Sequence, residues 1–83
     1  MPLYMDKHNK VEGLTKEAVA NAHAADLKTQ GKHGVQYEKY WFNEETGEVF
    51  CLVRAPNREA ANRVHKEAHG LVADELHEVE EGA

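Results

Sequence analysis

A two-layer α+β sandwich in the order β-α-β-β-α-β is the fold class this sequence predicts, and three observations carry it. Residues 3–8 alternate with the period of a strand, Leu3, Met5 and Lys7 on one side and Tyr4, Asp6 and His8 on the other. Two segments carry helix start and stop signals, Thr15 to Gly31 and Asn57 to Gly70. Between them lies an aromatic and β-branched hairpin pattern around Glu44-Glu45-Thr46-Gly47.

The loop after the first strand ends at Gly13. Thr15 is placed as the N-cap of the first helix, Glu17 sits in the first turn where the helix dipole favours a carboxylate, and an alanine-rich run continues to Gln30. Val19 and Leu27, with His23 midway, define the stripe expected to face the sheet. Residues 35–43 and 48–55 form the hairpin. In its second strand Val49, Cys51 and Val53 point one way and Phe50 and Leu52 the other, so that strand is expected at the centre of the sheet with both faces covered.

Pro56 stops the sheet and Asn57 caps a second helix from Arg58. Ala61, Val64, Ala68 and Leu71 supply its apolar stripe, and Gly70 its exit. Residues 74–80 make a last, highly charged strand. With no internal linker, low-complexity tract or repeat, the 83 residues are expected to be one domain. The order is that of the split-βαβ, ferredoxin-like sandwich, a four-stranded antiparallel sheet with both helices on one face. Two helices cannot cover the other face, and Tyr37, Tyr40, Trp41 and Phe42 populate both sides of the first hairpin strand. A homodimer packed through the open face is therefore expected.

Composition removes several function classes. The net charge is −5, with 15 acidic against 10 basic residues, so there is no basic stripe to neutralise phosphates and nucleic-acid binding is disfavoured. No stretch approaches the ~20 apolar residues of a membrane span, and no basic and apolar leader opens the chain, which points to the cytoplasm and away from the membrane. The single Cys51 excludes an internal disulfide framework and a CxxC knuckle, and fits a reducing compartment.

The chemistry is concentrated in six histidines. They occur as Asp6-x-His8, His23-x-x-Asp26, His65-x-x-x-His69 and His77-Glu78, with His33 in a loop between Lys32 and Gly34. Neutral imidazole is the commonest metal ligand among side chains, and with carboxylates and one thiol it makes a transition-metal palette. Asp6 and His8 share a strand face and can point into one cavity, expected on the open side with Leu3 and Met5 beneath the helices and Lys7 snorkelling at the margin. Tyr4 stands beside them, with Cys51 or Phe50 as neighbour according to register. His65 and His69 are one helical turn apart and can offer two imidazoles to one ion. Lys66 stands where a zinc protease needs its glutamate, and Glu67 is one position too late, so metalloprotease chemistry is discarded.

Each feature has a plainer reading. His23 can be a core histidine bonded to a carbonyl, His65 and His69 can be favoured by the dipole of a helix C-terminus, and Cys51 can be an inert buried thiol. His77 reads as an edge or dimer-contact residue, and Glu75, Glu78, Glu80 and Glu81 as a solvated face.

The segments Tyr4-Met5-Asp6-Lys7-His8, residues 22–27, residues 49–53 with Ala55 and Pro56, residues 60–65 and residues 67–71 together resemble a family of small bacterial proteins labelled as a domain of unknown function, one of whose actinobacterial members is described as nickel-binding. The likeness covers nearly the whole chain. It implies a ferredoxin-like homodimer and, as in the nickel-binding member, a divalent-metal site, with motif positions at Asp6, His8, His23, Asp26, Cys51, His65 and His69. Lys7 and Lys39 depart from more apolar choices in relatives.

Three functions follow, in this order of preference. The first is a cytoplasmic protein binding nickel or a similar borderline ion through histidine and aspartate, with zinc and copper as competitors. The second is a small dimeric enzyme or small-molecule binder in which His23 or His65 acts as acid or base, oriented by Asp6 or Asp26. The third is a dimeric interaction module whose histidines are structural. Nothing in the sequence names a catalytic residue or a substrate.

Overall fold

The computed structural model describes residues 1–82. Its elements are strand β1 (Leu3–His8), helix α1 (Lys16–Thr29), a 3-10 turn (Gln30–His33), strands β2 (Gln36–Asn43) and β3 (Glu48–Arg54), helix α2 (Arg58–Ala68) and strand β4 (Glu75–Val79). The sheet is antiparallel throughout and ordered β2-β3-β1-β4, the ferredoxin-like arrangement.

Local chemistry sets these boundaries. Thr15 and Asn57, both in extended conformation, accept hydrogen bonds from the backbone of Ala18 and Ala60 and so satisfy N–H groups that have no helical partner. Gly70, at φ +82°, lets the chain leave α2 while its N–H bonds the His65 carbonyl at 2.9 Å. The hairpin turn closes on Gly47, at φ +79°, where a Cβ would lie 3.1 Å from the Val11 nitrogen. That close approach ties the turn to the loop after β1, because the Val11 N–H donates to the Gly47 carbonyl at 2.9 Å.

The register places Asp6 opposite Cys51 and His8 opposite Val49 on β3. Both helices pack on the sheet face that carries Tyr4, Asp6, His8, Val49, Cys51 and Val53; Val19 of α1 and Ala61 and Val64 of α2 join that core. This reverses the expected facing of β1. Alternation alone cannot say which side of a strand meets the helices, and the apolar Leu3 and Met5 suggested the wrong one. Met5 instead lines a groove on the open face with Leu3, Trp41 and Leu52. Lys7 also stands on that face, 3.2 Å from Glu48 and over the Phe50 ring.

Two further expectations are corrected. The inward stripe of α1 runs through Val19 and Asp26, whereas Leu27 is 46% exposed. On α2 it runs through Ala61, Val64 and His65, with Leu71 exposed beyond the helix. In each helix a polar residue takes the place of an expected apolar one because it has a buried partner across the core. His33 lies within the 3-10 turn and reaches Glu67 at 3.2 Å.

Candidate metal centre

Four elements converge beneath the helices. β1 contributes Asp6 and His8, β3 contributes Cys51, α1 contributes Asp26, and α2 contributes His65 with His69 at its C-cap. The hub is His65, 1% exposed. Its Nε2 lies 2.9 Å from Asp6 Oδ2 and its Nδ1 lies 3.0 Å from Asp26 Oδ1. A carboxylate can only accept, so an imidazole wedged between two of them donates from both nitrogens and is an imidazolium. Burial pushes its pKa down, but the bonds to Asp26 and Asp6 outweigh that and raise it to about 9.

Asp26 Oδ1 also accepts from His69 Nε2 at 3.0 Å. The His69 tautomer follows from its other side, where Nδ1 accepts the Leu71 N–H at 3.0 Å and leaves the proton on Nε2. Burial raises the Asp26 carboxyl, but its bonds to His65 and His69 hold it below the usual carboxylate range. Two buried carboxylates thus face one imidazolium, and the neutral donors around them make up part of the deficit.

Tyr37 adds a donor that the sequence reading left out. Its hydroxyl lies 3.3 Å from Asp6 Oδ2 and 3.1 Å from the Ala61 carbonyl, and its ring packs against His65. Burial, with both aspartates nearby, pushes its pKa far up, so it stays a neutral donor. Simple alternation would place Tyr37 and Tyr40 on opposite faces. A register shift between Tyr37 and Lys39 puts both on the helix side, opposite Val53 and Cys51.

The two oxygens of Asp6 differ. Oδ2 accepts from His65 and Tyr37, whereas Oδ1, fully buried, has no hydrogen-bond partner among the described residues. His8 Nε2 lies 3.7 Å from it, too far for a hydrogen bond. Burial keeps His8 neutral by lowering its pKa. Burial first, and then the Asp6 charge, push the Cys51 thiol up, so it is protonated as it stands.

Asp6, His8, Cys51 and His65 present ligand-type atoms that all lie within 4.8 Å of one another, as do Asp26, His65 and His69, with His65 common to both groups. A transition ion with bonds of roughly 2.0–2.3 Å holds its donors about 3 to 3.8 Å apart. The Asp6–His8 separation already falls in that range. An unpartnered buried carboxylate oxygen beside a neutral imidazole fits a divalent cation, and the imidazole, carboxylate and thiol donors suit a borderline ion.

Of the seven expected site residues, six meet in this cluster. The seventh, His23, joins none of its ion pairs. It stacks on Tyr40, ring centroids 4.7 Å apart, in the wall of a cavity between α1 and the sheet. Burial lowers its pKa too. Outside the cluster, His77 is exposed and paired with Glu75 at 3.0 Å.

Comparison with known proteins shows the family and the fold. The model of a family described as "Nickel responsive protein SCO4226-like" matches residues 4–79. A solved structure titled as the crystal structure of SCO4226 from Streptomyces coelicolor A3(2) is similar at 38% sequence identity and a TM-score of 0.90, covering 98% of this chain and 99% of that one. No curated protein matches significantly. The buried histidine–aspartate cluster therefore sits in a chain that belongs to the nickel-responsive SCO4226-like family.

Proposed function

We propose that this protein binds a divalent transition metal, nickel by the description of its family, through Asp6 Oδ1, His8 Nε2 and His65 Nε2, with Cys51 as the soft donor. The observation that carries the reading is the unpartnered Asp6 Oδ1, a buried anionic acceptor flanked by a neutral imidazole. Asp26 and His69 orient His65 from its far side, as carboxylates commonly do for ligating histidines. A bound cation would supply there the positive charge that His65 now provides. Binding must therefore release the His65 Nε2 proton, and a thiol proton where Cys51 takes part.

The donor set does not by itself favour nickel over copper or zinc, since affinity in such sites rises to copper. Titration of chelator-stripped protein with nickel, cobalt, zinc and copper is expected to give saturable binding. His8→Ala should weaken it at least about tenfold, about 1.4 kcal/mol, with little change in melting temperature, because His8 makes no close hydrogen bond. Equal affinity in the variant would remove β1 from the site.

We also propose a cytoplasmic homodimer joined through the open sheet face. No described helix is long and apolar enough to cross a membrane, while Leu3, Met5, Trp41 and Leu52 line an open-face groove, with Trp41 48% exposed. Exposed aromatic surface of this kind commonly marks an interface. Light scattering should give twice the chain mass for the wild type and the single mass for Trp41→Lys. A monomeric wild type would reject the dimer.

A further inference from the structure

The cavity between α1 and the sheet is chemically unlike the cluster that forms its floor. It has a volume of about 70 Å³ and is walled by Leu14, Ala18, Val19, Ala22 and Val49, with His8, His23 and Tyr40 presenting polar edges. Asp6 does not line it; Asp26 does, with its Oδ1 already accepting from His65 and His69, so that its charge is met by the His65 imidazolium. The polar groups left to a guest are chiefly the His8 and His23 imidazoles, each offering one donor and one acceptor when neutral, and the Tyr40 hydroxyl. A hydroxyl matches that pairing, since it too donates once and accepts.

We propose that this cavity binds a small uncharged molecule with an apolar body and a single hydroxyl, a phenol or monohydric alcohol, held by the apolar wall and by His23. About 10–15 Å³ of such volume holds one water, so 70 Å³ admits about five to seven non-hydrogen atoms. Phenol has that size. A carboxylate head is disfavoured because it would be buried beside Asp26 without a cation of its own, and an ammonium because it would lose its water among apolar walls where the Asp26 charge is already met by His65. The alanines at Ala18 and Ala22 are what leave the space. Leu71, 45% exposed and next to the glycine exit of α2, also lines it.

The cavity shares His8, Cys51 and His65 with the proposed metal site, so the test uses chelator-stripped protein. Phenol, benzoate, benzylamine and toluene are titrated by calorimetry and by amide chemical shifts. Phenol is expected to bind saturably at one per chain and to move the Ala18, Ala22 and His23 resonances, with benzoate and benzylamine at least about tenfold weaker. Ala22→Leu, which fills the space, should weaken phenol at least about tenfold. Should that variant not fold, His23→Phe decides instead: it keeps the stack on Tyr40, and should retain toluene binding while losing the preference for phenol. Tighter binding of benzoate or benzylamine, an undiminished preference for phenol in His23→Phe, or no saturable binding of any probe would overturn the proposal and leave the metal site unaffected.

Discussion

His65→Ala is expected to remove a large part of the stability of the metal-free protein. The substitution leaves Asp6 and Asp26 buried without the imidazolium that donates to both at 2.9 and 3.0 Å. Breaking a buried ion pair from one side costs about 3–5 kcal/mol, because the uncompensated charge stays in the core. Against the roughly 0.05–0.15 kcal/mol per residue typical of domains, that is a large share for a chain of 83 residues. Adding Asp6→Asn and Asp26→Asn to His65→Ala should recover much of the loss, since the stranded charges go with their partner. Denaturant melts of the single and triple variants check this. A His65→Ala protein as stable as the wild type would mean that the carboxylates are not charged in the core.

The pH dependence of the metal-free protein should run against the usual loss of stability in mild acid alone. His65 has a folded pKa of about 9, above its ordinary 6.5. Its contribution is therefore complete below 6.5 and is lost as pH rises from 6.5 through about 9. A shift of that size corresponds to on the order of 3 kcal/mol. His8 and His23 have lowered values, so they oppose folding progressively as pH falls below 6.5. The lowered Asp26 adds stability that is present above the ordinary aspartate range and lost only in stronger acid. Melting temperature is thus expected to peak near pH 6.5 and to fall by pH 9, and the alkaline limb should vanish in the triple variant. A flat profile from pH 6.5 to 9 would contradict the imidazolium assignment.

Much of this fold was legible because its signals are local. Thr15 and Asn57 cap where a hydroxyl and an amide before a helical run should, and the hairpin follows from its aromatic strand and Gly47 turn. The pairing of Asp6 and His8 on one face was equally plain from the period of β1. Which face it was depended on partners more than fifty residues away, His65 above all, and alternation carries no such information. The same limit explains Leu27 and Asp26. Hydrophobicity favours burying the leucine, but the bonds from His65 and His69 make the aspartate the buried residue. Tyr37 was hidden by the register shift beside Glu38, which breaks the period that would have shown it sharing a face with Tyr40.

On the proposed function, a divalent cation takes the place beside Asp6 Oδ1. Crystals of the chelator-stripped protein equilibrated with nickel and measured at the nickel absorption edge test it most directly. An anomalous peak is expected at bonding distance from Asp6 Oδ1 and His8 Nε2, with His65 Nε2 turned to it in place of Asp6 Oδ2. Peaks confined to exposed groups such as His77 and Glu75, with the Asp6–His65–Asp26 chain of bonds undisturbed, would contradict it.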